Sequence, residues 1–212
     1  MFISFEGIDG SGKSTQLVLL SDWLEARGHR TVTVREPGAT KLSESIREIL
    51  LSNRQSITPS AELLLFSAAR VQLVENIIAP ALADGTVVLC DRFVDSTTAY
   101  QGFGRQLNMQ DVQSCNRMAT RGVMPSVTLF IDVPYDQAQT RMQFHPAAGE
   151  PDRMERSGRE FFERVRTGYL SIAASEPHRF YVVDGVRPRA DIHLDILQIL
   201  KPALVRCGLE KP

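Results

Sequence analysis

An α/β fold with a parallel sheet covered by helices on both faces is what this sequence predicts, on three observations. Short apolar runs rich in β-branched and aromatic residues alternate with longer stretches of helical spacing. Those strand runs read as near-continuous apolar segments, as in sheets buried on both faces. The first is followed at once by a glycine-rich turn and a helical pattern, the arrangement of a phosphate-binding nucleotide fold.

The strand runs are FISFE (2–6), TVTVR (31–35), TVVLC (86–90), VTLFID (127–132) and RFYVVD (179–184), which makes a five-stranded sheet. Leu42, Ile46, Ile49 and Leu50 mark a helix over 41–51 by their spacing. Ser60 and Glu62 lead into a long helical stretch that Asp84 and Gly85 end. Segment 144–158, FHPAAGEPDRMERSG, resembles neither element and reads as a mobile excursion between helices, a lid. The final CGLEKP (207–212) reads as a frayed tail on a single domain spanning 1–212.

Composition narrows the classes. A net charge of −1 gives no bulk electrostatic case for nucleic acid or an anionic membrane. Of the 24 cationic residues 20 are arginine, whose planar fork matches phosphate and carboxylate, although most of them suit an ordinary surface. Cys90, Cys115 and Cys207 are far apart and without a CxxC pair, so they read as reduced thiols rather than a disulfide frame or zinc site. No run reaches the roughly 18 apolar residues that span a bilayer, and no basic leader precedes the first strand, so a cytoplasmic protein is expected.

Gly7-Ile8-Asp9-Gly10-Ser11-Gly12-Lys13-Ser14 matches G-x-x-x-x-G-K-[ST], and Thr15 follows it. Glycines there let backbone N–H groups converge on a β-phosphate, helped by the helix N-terminus. Lys13 would span the β- and γ-phosphates, and Ser14 would ligate Mg²⁺. Asp91, at the end of the third strand run, is placed to hold the metal's water shell; a strand-end cap is the alternative.

A phosphate loop alone fits switches, motors, transporters and kinases. Five stretches are more specific: FEGIDGSGKSTQ (5–16), REPGAT (35–40), ELLLFSAAR (62–70), DRFVDSTTAYQG (91–102) and DRMER (152–156). In this order and spacing they resemble the thymidylate kinases, over roughly residues 2–200. The resemblance implies a nucleoside monophosphate kinase-like fold with a lid, and the reaction ATP + dTMP → ADP + dTDP, a step toward dTTP, with Mg²⁺. It also implies a homodimer.

By the same resemblance Phe66 stacks on thymine and Arg70 hydrogen-bonds the base, a pair that four-residue spacing puts on one helix face. Without the family, Phe66 would read as core and Arg70 as a surface charge. Asp9 reaches toward the acceptor's 3′-hydroxyl or phosphate, unless it is a turn residue. Glu36 and Arg47 resemble the acceptor-side polar pair, Arg47 near the monophosphate, and a solvated Arg47 is the competing reading. Arg92 grips the acceptor phosphate beside the transferring group. Ser96, Thr97, Tyr100 and Gln101 line the nucleoside, Tyr100 crowding any 2′-hydroxyl and Gln101 facing the pyrimidine edge.

The loop's variable positions hold no basic residue, which resembles the bacterial subgroup whose extra arginine comes from the lid. Arg153 is the first candidate to meet the γ-phosphate and Arg141 the second; His145 reads as a loop histidine. Another nucleoside monophosphate as acceptor, or a nucleotide switch without turnover, are the alternatives. The Arg70 and TTAYQG matches weigh against the first, and Arg92 with the charged lid against the second.

Overall fold

The computed structural model describes residues 1–144 and 152–210. Within them the strands are β1 (Phe2–Glu6), β2 (Thr31–Arg35), β3 (Val87–Asp91), β4 (Val127–Asp132) and β5 (Phe180–Asp184). They form one parallel sheet in the order β2-β3-β1-β4-β5. Phe2 registers with Val88 on one side of β1, and Ile3 with Val127 on the other. The predicted strand runs thus hold, with β3 shifted by one residue toward the C-terminus and β5 starting one residue later.

Nine α-helical segments connect the strands within the described residues: α1 (Lys13–Glu25), α2 (Lys41–Leu51), α3 (Pro59–Leu73), α4 (Ala79–Ala83), α5 (Val94–Thr97), α6 (Met109–Thr120), α7 (Tyr135–Phe144), α8 (Arg159–Ser175) and α9 (Arg189–Arg206). Two π-helical stretches, Val74–Ile78 and Thr98–Gly104, continue α3 and α5. Side-chain oxygens start two helices: Thr40 accepts from Ser43 N at 3.1 Å and Asn108 from Gln110 N at 2.8 Å. At Gly85 a φ of 73° ends the long α3–α4 run, as the sequence anticipates.

Strand alternation divides the core between the two faces. Ile3 and Phe5 of β1 pack with Leu17, Leu20 and Leu24 of α1 and Ile192, Ile196 and Leu200 of α9. Phe2 points the other way, to Leu73, Val74, Ile78 and Phe93. Under α8 an aromatic cluster forms, in which the rings of Phe130 and Tyr169 stack 4.6 Å apart.

Pro59–Ala83 is long and apolar enough, at a mean hydropathy of 1.3, to cross a membrane by length and composition alone. Its Glu62 and Arg70 are buried against other side chains of the protein, and that is how a core helix is built. Residues 145–151, and His145 with them, lie outside the described residues, so the predicted lid is described only from 152 onward. The predicted tail folds back in part: Leu209 N donates to Leu204 O at 2.8 Å, and its side chain packs on the α1–α9 core.

β1 is flanked by β3 and β4, the strands on either side of the point where the chain reverses its direction of travel across the sheet. Ligand crevices in open α/β sheets lie at the C-terminal strand ends beside such a point. The loops that leave β1 and β3 meet there.

Candidate active site

After β1 the chain passes through Gly7, Gly10 and Gly12, whose φ angles of 144°, 79° and 95° favour glycine. At Gly10 the constraint is also steric, because a Cβ would sit 2.4 Å from the Ala138 carbonyl oxygen. The Ile8 side chain is buried in the aromatic core, leaving its backbone to the loop. Lys13 opens α1, buried, with its Nζ 3.2 Å from Asp9 Oδ1 and 3.9 Å from Asp91 Oδ1. Ser14 Oγ donates to Asp91 Oδ2 at 2.5 Å. The fold therefore draws the loop lysine, the hydroxyl and the strand-end carboxylate to one point.

Arg92 adds the second cation. Its backbone has a φ of 69°, unusual for a side-chain-bearing residue and held by a hydrogen bond from its N to Phe5 O at 2.9 Å. That geometry turns the guanidinium back over the loop, donating to Gly7 O at 2.6 Å and Asp9 Oδ1 at 2.7 Å. Burial alone would raise the Asp9 carboxyl, but the Arg92 and Lys13 cations together hold it well below the usual carboxylate range.

Beside this point lies a cavity of about 160 Å³. Its walls hold every residue that the sequence assigns to the acceptor: Asp9, Glu36, Arg47, Phe66, Arg70, Arg92, Ser96, Thr97, Tyr100 and Gln101. Pro37, Leu51, Asp152, Met154 and Glu155 complete them. Phe66 and Arg70 do share a face of α3, Phe66 half-buried and Arg70 1% exposed.

Most of these polar side chains are tied down. Arg70 donates through Nε to Glu36 Oε2 at 2.8 Å, through NH1 to Asn116 Oδ1 at 3.4 Å and through NH2 to the Phe93 carbonyl at 3.3 Å. Burial pushes the Glu36 carboxyl up against the pull of Arg70. Its Oε1 is buried with no partner among the described residues, and the Tyr100 hydroxyl is likewise unmatched. Ser96 is engaged from behind, its Oγ donating to Glu6 Oε2 at 2.5 Å. Arg47 NH1 donates to Pro37 O at 3.0 Å.

A second, wider cavity of about 760 Å³ opens on the other side of the loop. Gly10, Ser11, Gly12, Thr15 and Arg141 line it, with Arg187 from the β5–α9 connection and Arg189 at the start of α9. It shares Asp9 and Glu155 with the first cavity, so the two meet at the loop.

The structure separates the two candidate lid arginines. Arg141 NH1 donates to Ser11 O at 3.3 Å and NH2 to Gly185 O at 2.8 Å, so it stands on the phosphate loop. Arg153, the sequence's first choice, is not brought there. Its Nε donates to Leu50 O at 2.8 Å and its NH1 to Glu62 Oε2 at 2.6 Å, because buried Glu62 is the stronger attractor within reach.

Sequence reasoning missed Glu6, Glu62, Asn116 and Glu155. Glu6 accepts from Ser4 Oγ, Phe93 N, Ser96 Oγ and Tyr169 OH, and burial with the nearby Asp95 carboxylate pushes its carboxyl up to about 7. A carboxylate ending a strand just before a phosphate loop was the available signal. For Glu62 it was the 62–66–70 spacing, which continues the Phe66–Arg70 stripe.

The sequence pattern of the thymidylate kinase family matches residues 5–196. The chain belongs to the thymidylate kinase family. A thymidylate kinase of Chlorobaculum parvum is 49% identical over 207 residues, covering 95% of each chain. One from Kosmotoga olearia is 48% identical, covering 98% of this chain and 99% of its own. A crystal structure of thymidylate kinase from Ehrlichia chaffeensis superposes with a TM-score of 0.75 at 38% identity, over 94% of this chain and 98% of that one.

Proposed function

We propose that the two cavities are the acceptor and donor halves of one phosphoryl-transfer site, with the residue roles set out below. The chain is an enzyme of the thymidylate kinase family and phosphorylates dTMP to dTDP with ATP. The observation that carries the division is the shared wall: Asp9 and Glu155 line both cavities, beside Lys13 and Arg92.

In this reading the backbone N–H groups of the loop and the N-terminus of α1 hold the β-phosphate, and Lys13 reaches the transferring group. Arg92 binds the acceptor phosphate in line with it. Arg141 is the added cation on the donor side, a role supported by its place on Ser11 and one that Arg153 is too far committed to Glu62 to fill. Since the nucleophile is already a phosphate oxygen, no general base is needed; alignment and charge lower the barrier. Phe66 stacks on thymine, Arg70 and Gln101 meet its polar edge, and Tyr100 backs the sugar. Ser96 and Thr97 close the nucleoside wall, and Arg47 balances charge near the monophosphate.

Ser14 and Asp91 offer a hydroxyl and a carboxylate oxygen side by side, which fits Mg²⁺, an ion that takes few protein oxygens and completes its shell with phosphate and water. When bound, Mg²⁺ supplies charge neutralisation across the β- and γ-phosphates. A cytoplasmic homodimer completes the proposal. Supporting a dimer, Ile49, Leu64 and Met118 are exposed apolar residues on the neighbouring helices α2, α3 and α6.

One panel tests the reading: ADP release with ATP and dTMP, dUMP, dGMP, AMP or CMP. dTMP is the preferred acceptor; faster turnover of AMP or dGMP contradicts the assignment of the cavity.

A further inference from the structure

Glu62 lies outside both cavities, yet its carboxylate is fully buried in the first turn of α3 and accepts four hydrogen bonds. Arg105 supplies two, from Nε to Oε1 and NH2 to Oε2, each at 3.2 Å. Arg153 NH1 reaches Oε2 at 2.6 Å. The remaining one is from an uncharged group: Gln101 Nε2 donates to Oε1 at 2.7 Å. Two arginines would balance this carboxylate without help. The bond to Gln101 needs a different reason.

A primary amide has a donor end and an acceptor end of nearly the same shape, and only its partners decide which end faces where. An ionised carboxylate can only accept. Burial works against ionising Glu62, but the hydrogen bonds from Arg105, Gln101 and Arg153 more than offset it and hold the carboxyl below its ordinary value. The Gln101 amide is therefore pinned with nitrogen toward Glu62, and its carbonyl oxygen is the end left for the cavity that Gln101 lines.

We propose that Glu62 is a positioning residue for base selection: by fixing the Gln101 amide it presents a hydrogen-bond acceptor to the pyrimidine edge. Thymine and uracil carry an N3–H donor there, and cytosine carries a bare N3 acceptor. A fixed acceptor pairs with the first two and faces the third with two lone pairs opposed. The carboxylate thus selects imide-type pyrimidines without touching them, from the same helical stripe as Phe66 and Arg70. This inference rests on the cavity being the dTMP site.

The test compares kcat/KM for dTMP and dCMP in wild type and Glu62→Gln. The variant keeps the shape but can donate as well as accept, so the Gln101 amide is free to turn. The dTMP-to-dCMP ratio falls about tenfold, through a higher KM for dTMP with the ATP KM unchanged. A variant that keeps the wild-type ratio overturns the inference, whatever it does to thermal stability. Arg105→Gln removes another partner of the same carboxylate and leaves the Gln101 bond; it lowers Tm and keeps the ratio, and an equal loss of selectivity there contradicts a special role for the Gln101 bond. Should Glu62→Gln fail to fold, the Gln101 side-chain amide in wild type gives the answer by NMR. Its protons are protected from exchange before dTMP is added and stay so afterwards; protection gained only with dTMP overturns the proposal. Failure of wild type to turn over dTMP would instead remove the acceptor assignment on which this rests.

Discussion

The two halves of the site are built by opposite means. The acceptor cavity is walled by buried side chains that already hold one another: Arg70 on Glu36, Asn116 and the Phe93 carbonyl, and Gln101 on Glu62. The proposed donor cavity is wider, and the phosphate grip proposed for it is made of loop backbone, with Arg141 donating to the Ser11 carbonyl of that loop. Phosphate is common to every donor, and backbone N–H groups recognise it without reading a base. Telling one base from another takes side chains in fixed orientations, and such orientations persist only when each buried polar group has a partner. On the proposed assignment, selectivity is stored on the acceptor side before any ligand arrives.

The largest effect that would break this comparison is expected at Arg70. Arg70→Ala leaves the buried Glu36 carboxylate without its counter-charge, a loss of about 3–5 kcal/mol in folding stability. It also raises the KM for dTMP more than that for ATP; a denaturation midpoint and dTMP KM like wild type would show the network to be incidental. Next come the two arginines of the lid region. Arg141→Ala lowers kcat about a hundredfold, or about 2.7 kcal/mol. Arg153→Ala chiefly lowers stability, by removing one partner from Glu62. Should kcat fall for Arg153→Ala and not for Arg141→Ala, the donor-side assignment reverses.

A smaller effect concerns Glu6, which braces the acceptor wall through Phe93 N and Ser96. Its folded carboxyl is raised from an ordinary 4.5 to about 7, so between those values the folded chain keeps a proton that the unfolded chain has lost. Stability from this group then falls as pH rises through that window, by about 2 kcal/mol from pH 5 to 7. Glu6→Gln flattens that slope in urea melts; an unchanged slope removes Glu6 as its source.

Legibility in the sequence follows the same division. The five strands and the α3–α4 run were readable because burial on both faces of a parallel sheet forces near-continuous apolar runs, and Gly85 marks the end of the helix. The loop was readable because phosphate binding demands glycine at set positions. Phe66 and Arg70 were placed only by resemblance, since a half-buried phenylalanine and an arginine four residues on fit many helices. Glu62 and Glu6 escaped because a carboxylate in a helix start or at a strand end looks solvated until its partners, 39 residues away at Gln101 or 163 at Tyr169, are brought to it. The partner of Arg153 was illegible for the same reason: Glu62 lies 91 residues back along the chain.

The claim that the acceptor half is assembled in advance is tested most directly by titrating dTMP into the protein calorimetrically with no ATP or Mg²⁺ present. Saturable one-site binding is expected, weakened in Arg70→Ala and nearly the same when a non-hydrolysable ATP analogue is added first. No detectable binding of dTMP until the analogue is present would contradict it.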